Sequence, residues 1–283
     1  MNLRALFASL FGRNGNDAQG PLRFDAAAVS DRGLVRPDNQ DSYLMHSGEF
    51  FLAVADGMGG GADGALASAW IKEELANLLA LPPISFRERV AQTGASLEAA
   101  NTRIRAYMKE RGIKMMGSTA AVLMADPERP SRGVVAHVGD SRIYRWRRGK
   151  GVQLTRDHTV GDELGRAHVS NSEAAALKSR KNPLSHILTR AVGTGFKVRP
   201  DWRKIDLRAG DRYLLCTDGV HDVLSNEQVT TLLGHAKTPA EALKAFAREV
   251  IARGAPDNYT LVCAFVAKGD RPFNIQEKRQ WQD

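Results

Sequence analysis

The sequence has very few cysteines and no long apolar segment. Only two cysteines occur among 283 residues, Cys216 and Cys263, and both lie in apolar, strand-like runs. This excludes a disulfide-stapled secreted domain and predicts buried, reduced thiols, which favours a cytoplasmic location. No apolar run approaches the roughly eighteen residues that a membrane span requires. Residues 3–11 are too short for a signal peptide and lack a clear cleavage site, so we expect no secretion signal.

The motifs of covalent catalysis are also missing. The sequence contains no G-x-S-x-G elbow, no Walker loop, no H-E-x-x-H and no paired Cys/His spacing. Neither cysteine opens a Cys-x5-Arg loop, because Asp222 and Gly269 occupy the arginine position. A covalent serine or cysteine mechanism therefore has no support in the sequence.

One glycine-rich stretch, Gly57–Ala62, satisfies the dinucleotide-binding pattern G-x-G-x-x-A. That fold needs a second strand ending in an acid about twenty residues later, whereas a helix, two prolines and another helix follow here. Asp56 would also present a negative charge to a pyrophosphate. Both features disfavour a dinucleotide site.

The composition is that of a globular protein with a positive net charge. Hydrophobic residues make up 43% of the chain, and the formal net charge is +8. No Pro/Gly/Ser-rich linker divides it, so we expect one domain over residues 21–268, a flexible extension at 1–20 and a polar tail at 269–283. The charge suggests an acidic partner. Its densest run, Arg142–Lys150, reads as a hairpin rather than a nucleic-acid platform, so no nucleic acid is expected.

The order of predicted elements indicates the fold class. Two helices follow one another directly, the first stopped by Pro82-Pro83 and the second ending at Gly112. Capping-box patterns at Ser225–Gln228 and Thr238–Glu241 open two more helices. The strands are predicted at 24–30, 50–57, 119–124, 133–138, 142–155, 202–207, 213–217 and 259–266. This order predicts an α+β protein with antiparallel sheets rather than alternating βαβ units.

One stretch is weakly patterned. Over about 158–186 the apolar period fades, although residues 173–177 could form a short helix. We expect this stretch to be a surface flap that handles substrates.

Three of the strand-like runs deliver an aspartate at their C-terminal end. These aspartates are Asp56, Asp140 and Asp218. Taken singly, Asp-Gly is a common hairpin-turn dipeptide. Three such apolar runs of strand length favour an acidic cluster over three separate turns. Asp56 also lies beside a glycine-rich backbone, which an ion or a phosphate can approach closely.

With two further acids in turns, the candidate cluster has five members. They are Asp41, Asp56, Asp140, Asp218 and Asp257. Converging carboxylates raise one another's pKa unless cations neutralise them, and all-oxygen ligands select Mg²⁺ or Mn²⁺ over zinc. Two such ions roughly 3.5–4 Å apart, bridged by one carboxylate, hold a hydroxide at neutral pH and clamp an in-line displacement at phosphorus. The predicted reaction is hydrolysis of a phosphate ester.

Seven motifs occur in a characteristic order along the chain. They are Arg36–Asp41 (RPDNQD), Ala55–Gly60 (ADGMGG), Gly117–Thr119 (GST), His137–Arg142 (HVGDSR), Leu188–Gly193 (LTRAVG), Cys216–Gly219 (CTDG) and Asp257-Asn258. On these motifs, residues from about 24 to 266 resemble the metal-dependent type 2C serine/threonine protein phosphatases, especially their bacterial members. The resemblance implies a sandwich of two antiparallel β-sheets flanked by pairs of antiparallel α-helices, in α-β-β-α layers.

The resemblance also implies metal-binding roles. Asp56 resembles the ligand that bridges two core Mg²⁺ or Mn²⁺ ions, and the Gly57 carbonyl joins it on the second ion. Asp218 and Asp257 match ligands of the first ion. Asp41 matches the acid used at the second ion.

Two further positions carry implied roles. Asp140 together with Asp218 matches a third, weaker metal site of bacterial relatives. Arg36 falls where the family binds the substrate phosphate, a role that suits a planar guanidinium. The alternative for Arg36 is a surface salt bridge with Asp38 or Asp41.

The chain departs from the family pattern at two positions. Gln40 stands where many relatives have Glu, and Gly61 stands where many have a His proposed to protonate the leaving alkoxide. Glycine has no side chain for that task, so we expect slow hydrolysis of alkyl phosphates or another proton source. His158 is a candidate, although a structural role is the stronger interpretation.

The function implied is that of a cytoplasmic phosphoserine/phosphothreonine phosphatase, acting in signal transduction as a monomer on phosphoproteins modified by a bacterial kinase. A catalytically weakened module that binds phosphoproteins or partners is the first alternative, favoured by Gly61 and opposed by the complete set of acids. A regulatory phosphatase acting on an anti-sigma antagonist is the second, for which a fused sensor domain would be expected.

Overall fold

The computed structural model describes residues 22–46, 50–82, 84–167, 171–179, 182–269 and 273–276. The strands of this part are β1 (Leu22–Asp31), β2 (Asp41–His46), β3 (Phe51–Met58), β4 (Gly117–Ser118), β5 (Ala120–Ala125), β6 (Arg132–Val138), β7 (Arg142–Arg147), β8 (Lys150–Gln153), β9 (Asp201–Asp206), β10 (Arg212–Cys216), β11 (Tyr259–Lys268) and β12 (Phe273–Gln276). Its helices are α1 (Ala62–Ala80), α2 (Phe86–Arg111), α3 (Val160–Leu164), α4 (Asn171–Lys178), α5 (Asp218–His221), α6 (Asn226–His235) and α7 (Pro239–Ala252), with a 3-10 turn at Pro183–His186.

The strands form two six-stranded sheets. The first sheet has the order β12-β1-β11-β10-β7-β8, and the second has the order β2-β3-β5-β6-β9 with β4 paired to β3. Neighbouring strands are antiparallel, except that β12 runs parallel to β1. The predicted class, α+β with two antiparallel sheets, is confirmed. The pairing of β12 places a strand inside the stretch predicted to be a polar tail.

Three layers of core residues hold the helices and sheets together. Leu52 and Val54 of β3 point between the two sheets, whereas Phe51 and Ala53 pack outward against α1 and α2. A third cluster packs α6 and α7 on the outer face of the first sheet. Because both faces of β3 are covered, the strand is apolar along its length instead of alternating. The layers are therefore helix pair, sheet, sheet and helix pair.

The predicted helix boundaries agree closely with the structure. Helix α6 begins with a complete capping box between Ser225 and Gln228. At α7, Thr238 caps the backbone N–H of Glu241, but the Glu241 carboxylate accepts from the Lys237 backbone N–H at 2.8 Å. Helix α2 ends at Gly112, whose φ of 67° supports a left-handed cap.

The flap lies between β8 and β9 and contains α3, α4 and the 3-10 turn. The short helix expected at 173–177 is present as α4. A 2.9 Å hydrogen bond from Val160 N to Ile187 O joins the two ends of the flap.

The extension predicted at residues 1–20 lies outside the described residues. Both cysteines are buried, and neither forms a disulfide with a described residue. Among the described helices, none combines the length and apolarity needed to cross a bilayer.

Candidate metal centre

Two aspartates face each other on neighbouring strands of the second sheet. Asp41, the first residue of β2, is the cross-strand partner of Asp56 in β3. Like charges at directly opposed positions are destabilising, so this pair needs a compensating proton or cation. Strand β3 continues past Asp56 to Met58, and Asp218 opens α5. The interpretation of these Asp-Gly pairs as hairpin turns is therefore wrong.

Thr217 links the first sheet to the acids of the second. Its fully buried hydroxyl donates a 2.8 Å hydrogen bond to Asp41 Oδ2 and accepts one of 2.9 Å from the Thr260 backbone N–H. Because Asp218 follows directly, this contact brings Asp218 to the Asp41 side of the interface between the sheets.

Asn258 fixes the loop after β1 against the start of β11. Its Oδ1 accepts a 2.8 Å hydrogen bond from Gln40 N, and its Nδ2 donates to the carbonyls of Arg32 and Asp38 at 2.8 Å each. The Asn258 backbone N–H donates to Asp257 Oδ1 at 2.8 Å. One buried amide therefore positions Asp257 beside the residues that lead into β2.

Asp140 reaches the same place from the loop between β6 and β7. Gly139, with φ of 95°, supplies the left-handed turn before it. His221 Nε2 donates to the Asp140 carbonyl at 3.0 Å. The Asp140 side chain lines one cavity together with Asp56 and Asp218.

The acids interact strongly with one another. The pKa of Asp41 is raised to about 7, first by burial and then by the charges of Asp218 and Asp257, while the hydrogen bond from Thr217 offsets part of the rise. Burial also raises the pKa of Asp56 well above its usual range, and the neighbouring Asp218 adds the next largest contribution. The five predicted acids therefore converge, and their negative charges are unfavourable without a cation.

The residues present fit a divalent cation. Asp41 Oδ1 is buried and accepts no hydrogen bond from any residue that the structure describes. An ionised oxygen is acceptor-only, so leaving it buried without a partner is unfavourable unless a cation meets it. Carboxylates joined by a backbone carbonyl form the hard oxygen donor set that Mg²⁺ and Mn²⁺ prefer.

Gly57 and Gly64 meet around the side chain of Gln40. A Cβ on Gly57 would stand 2.0 Å from Gly64 O, so no larger residue fits there. With the Gln40 amide oriented to satisfy both ends, Nε2 donates to Gly57 O at 3.1 Å and Oε1 accepts from Gly61 N at 3.3 Å. A glutamate could not make the first of these bonds when ionised, so Gln40 gives the Gly57 carbonyl a fixed position in this chain.

Arg36 stands at the edge of the acidic cluster with about half of its side chain exposed. Its Nη2 donates to Asp257 Oδ2 at 2.6 Å. The salt bridge considered as an alternative therefore exists, but its partner is Asp257 rather than Asp38 or Asp41. A guanidinium has five N–H donors, so this contact leaves others for a phosphate.

Gly61 lies at the start of α1 in a backbone conformation that favours glycine. Its φ is 52° and its ψ is −131°. A Cβ there would meet no atom within 4 Å. Space for a side chain exists, but a histidine at this position would carry backbone strain.

His158 is a buried structural residue. It stacks on His137 with ring centroids 4.5 Å apart, and its Nδ1 accepts from Gly139 N at 3.1 Å. Burial lowers the His158 pKa to about 4. Its Nε2 lies 3.3 Å from Asp201, which also binds Arg190 at 2.8 Å. His137, His158 and Asp201 place possible metal-ligand atoms within 4.8 Å of one another. However, the Arg190 guanidinium already compensates the charge of the Asp201 carboxylate.

The residues that hold the acids in place were not predicted from the sequence. Thr119 Oγ1 accepts from Asp56 N at 3.0 Å and hydrogen-bonds Ser141 Oγ at 2.6 Å. Thr119, Thr217 and Asn258 all lie inside the quoted motifs, so motif membership was the available signal. Their individual partners lie far away in the sequence, and no local pattern indicates them.

Comparison with known proteins identifies the family. A model described as Protein phosphatase 2C matches residues 27–259, which include all five aspartates. The chain belongs to the protein phosphatase 2C family. The resemblance found in the motifs is confirmed over almost the same range.

Curated relatives of this family include bacterial serine/threonine phosphatases. PstP of Mycobacterium tuberculosis is 37% identical over 246 residues, which cover 86% of this chain and 45% of PstP. The chain thus spans less than half the length of that relative. PhpP of Streptococcus pneumoniae is 28% identical over 250 residues, covering 87% of this chain and 99% of PhpP.

Solved structures of the family share the fold. The catalytic domain of PstP in complex with two manganese ions is 34% identical, has a TM-score of 0.74, and matches 87% of this chain and 100% of its own. PppA of Pseudomonas aeruginosa is 29% identical, has a TM-score of 0.76, and matches 86% of this chain and 98% of its own. The two-sheet arrangement is therefore the protein phosphatase 2C fold.

Proposed function

We propose that this chain hydrolyses phosphoserine and phosphothreonine in proteins with a binuclear Mg²⁺ or Mn²⁺ centre. The proposal is supported by family membership and by the relatives named serine/threonine phosphatases. The observation that carries it is the convergence of acids from separate segments around a buried Asp41 oxygen that lacks a partner among the described residues.

In this proposal, six residues hold the metal ions. They are Asp41, Asp56, Asp140, Asp218 and Asp257 through their carboxylates and Gly57 through its carbonyl. When bound, a pair of divalent ions supplies an activated water and charge stabilisation at phosphorus. Thr217, Thr119 and Asn258 orient these ligands, because each hydrogen-bonds a ligand residue directly.

Arg36 is the proposed phosphate-binding residue. It lies beside the acids and is half exposed, so a substrate phosphate can approach it from solvent. Its planar group suits bidentate contact with phosphate oxygens. The ion pair with Asp257 holds the guanidinium at the cluster before a substrate arrives.

The test is phosphate release from a phosphothreonine peptide by metal-stripped protein, before and after addition of Mn²⁺. We expect release only with Mn²⁺ and none from Asp218→Ala. Peptide binding without release by the wild-type protein would instead support the catalytically weakened module, which Gly61 favours. Release that persists in chelator would contradict a metal-dependent reaction.

Location and partners form part of the same proposal. Two buried thiols that form no disulfide among the described residues suit a reducing cytoplasm. There the chain would act as a monomer in signal transduction, on phosphoproteins made by a serine/threonine kinase.

Gly61 leads to a prediction about the leaving group. An aryl phosphate needs little protonation on departure, whereas a serine or threonine alkoxide needs a proton. We expect the ratio of kcat/KM for an aryl phosphate to that for a phosphothreonine peptide to be about tenfold or more higher here than in a relative with histidine at this position. Steady-state kinetics at saturating Mn²⁺ measure the ratio.

Gly61→His should lower that ratio, with Gly61→Ala as the matched control. Both variants carry the backbone strain of a positive φ, but only the first adds an acid. Equal ratios in the two variants would contradict the assignment.

Thr217→Val leads to a second prediction about the position of Asp41. The isosteric change removes the hydrogen bond to Asp41 Oδ2 and the acceptor for Thr260 N. We expect Mn²⁺ affinity to fall about tenfold and the free energy of unfolding to fall by about 1–2 kcal/mol. Isothermal titration and urea unfolding measure these effects.

Thr217→Ser is the control, because it keeps the hydroxyl. High Mn²⁺ should restore kcat in Thr217→Val if the residue only positions Asp41. An unchanged Mn²⁺ affinity in that variant would show that Thr217 does not position the ligand.

A further inference from the structure

A cavity of about 770 Å³ opens from the acidic cluster toward α2 and the flap. Asp56, Asp140 and Asp218 are among its lining residues. Helix α2, the segment that leads to β4 and the end of the flap also contribute to the lining. The cavity is therefore large enough for more than a phosphoryl group.

Two cations also line this cavity. Arg105 lies on α2, and Lys114 is exposed in the segment between α2 and β4. We call this pair the basic rim. Within the part of the chain that the structure describes, neither side chain forms an ion pair with a carboxylate. In contrast, Arg103, which lies on the same helix as Arg105, binds the Glu73 carboxylate of α1 at 2.9 Å.

The Arg105 guanidinium is held in place without a counter-ion. It lies 4.5 Å from the centroid of the Phe196 ring. Phe196 is 86% exposed, so the pair stands at the surface. Stacking on an aromatic face orients a guanidinium while leaving its edge donors available for hydrogen bonds.

Much of the remaining lining is apolar and adaptable. It includes Met58, Met108, Met115 and Ile187 of the flap. Met115 is 64% exposed and Ile187 is 49% exposed. Methionine side chains adjust to differently shaped partners, so this lining suits the variable residues of a peptide.

We propose that the basic rim binds acidic side chains that flank the phosphorylated residue, so that the preferred substrates are acidic phosphopeptides. The inference rests on the proposed function, because the phosphorylated residue is assumed to lie at the acidic cluster. Charge complementarity supports this occupant: two cations without a carboxylate partner among the described residues line the cavity, Arg105 half-buried and Lys114 exposed, and the net charge of the chain is +8. A basic peptide would meet like charges at the same place.

The experiment compares phosphothreonine peptides that differ only in flanking residues, which are glutamate, glutamine or lysine, placed before or after the phosphothreonine. We expect the wild type to prefer a glutamate peptide over the matching glutamine peptide on one side of the phosphothreonine. The expected difference in kcat/KM is about fivefold for each contact with the basic rim, arises mainly from KM, and shrinks at high salt. Arg105→Gln and Lys114→Gln should each reduce it, and the double variant should abolish it. Arg105→Glu/Lys114→Glu should reverse it toward the lysine peptide.

Lys109→Gln is the matched control, because Lys109 is exposed on the same helix but does not line the cavity. Hydrolysis of an aryl phosphate should be unchanged in all rim variants. A wild type without an acidic preference, or a double variant that keeps it, would overturn the proposal.

A binding measurement separates this inference from the proposed function. Fluorescence anisotropy with the unphosphorylated glutamate and glutamine peptides, in Mn²⁺, reports the basic rim without turnover. Tighter binding of the glutamate peptide that disappears in the double variant supports the basic rim even if no peptide is hydrolysed. Equal binding of the two peptides by the wild type, alongside normal hydrolysis, would refute the basic rim and leave the phosphatase function standing.

Discussion

Asp56→Asn is expected to lower Mn²⁺-dependent phosphatase activity by at least about 10³-fold, because stabilisation by a metal pair at phosphorus is worth several kcal/mol. The same change should make the metal-free protein more stable. Burial and Asp218 raise the Asp56 pKa well above its usual range, so ionising this carboxyl in the metal-free fold is unfavourable. An amide removes that unfavourable charge while keeping the shape of the side chain.

The pH dependence follows from the direction of the shift. A carboxyl whose pKa is raised on folding binds more protons in the folded than in the unfolded state, so its contribution to stability is lost as pH rises above the unfolded value. Asp41 shows the same trend, from 3.8 to about 7. The stability gain of Asp56→Asn over wild type, measured in chelator, should therefore grow as pH rises above about 4, by up to about 1.4 kcal/mol per pH unit.

Steady-state kinetics in Mn²⁺ check the loss of activity, and thermal unfolding with and without Mn²⁺ checks the change in stability. Mn²⁺ at about 100 times its Kd should stabilise the wild type by about 2.7 kcal/mol and leave Asp56→Asn unchanged. Asp206→Asn is the control, because Asp206 is 59% exposed at the far end of β9. A metal-free Asp56→Asn protein that is less stable than wild type would contradict the electrostatic account.

Gly219→Ala is expected to have the largest effect on stability. A Cβ on Gly219 would lie 1.9 Å from the Asn258 carbonyl oxygen, which is backbone, and 3.3 Å from the Tyr259 Cβ. To relieve the overlap, α5 must move away from the start of β11, which separates Asp218 from Asp257. We expect the free energy of unfolding to fall by about 3 kcal/mol and Mn²⁺ affinity to fall with it.

Urea unfolding and metal titration measure these losses. Gly195→Ala is the matched control, because the nearest atom to its added Cβ is 3.5 Å away and its backbone is not left-handed. If Gly219→Ala unfolds at the wild-type urea concentration and binds Mn²⁺ normally, the close packing of α5 on β11 does not position the acids.

The strands and long helices could be predicted from the sequence because their local signals are strong. Val122 and Leu123 lie in a continuous apolar run, because helices cover one face of the strand and the other sheet covers the opposite face. Ser225 and Gln228 form the capping box that marks the start of α6. Strand β12 was missed, because its parallel pairing with β1 joins segments more than 200 residues apart in the chain. A short strand without turn signals has no local pattern.

The candidate site was also predictable only in part: its acids could be found from the sequence, but their arrangement could not. Asp56, Asp140 and Asp218 were identified as strand-end acids and Asp41 and Asp257 as acids in turns, and the family motifs supplied only their roles. Their convergence depends on how the two sheets face each other, which periodicity does not indicate. The predicted salt-bridge partners of Arg36 were wrong for this reason. Asp38 and Asp41 are near Arg36 in sequence, whereas the actual partner, Asp257, is 221 residues away.

Anomalous scattering at the manganese edge, from crystals of this protein grown with Mn²⁺, would show whether the converging acids hold a pair of metal ions. We expect two strong peaks beside the Asp56 carboxylate, within ligand distance of Asp41, Asp218 and Asp257, and loss of both in Asp56→Asn. Peaks only elsewhere on the chain, or none in a wild-type crystal at saturating Mn²⁺, would contradict this expectation.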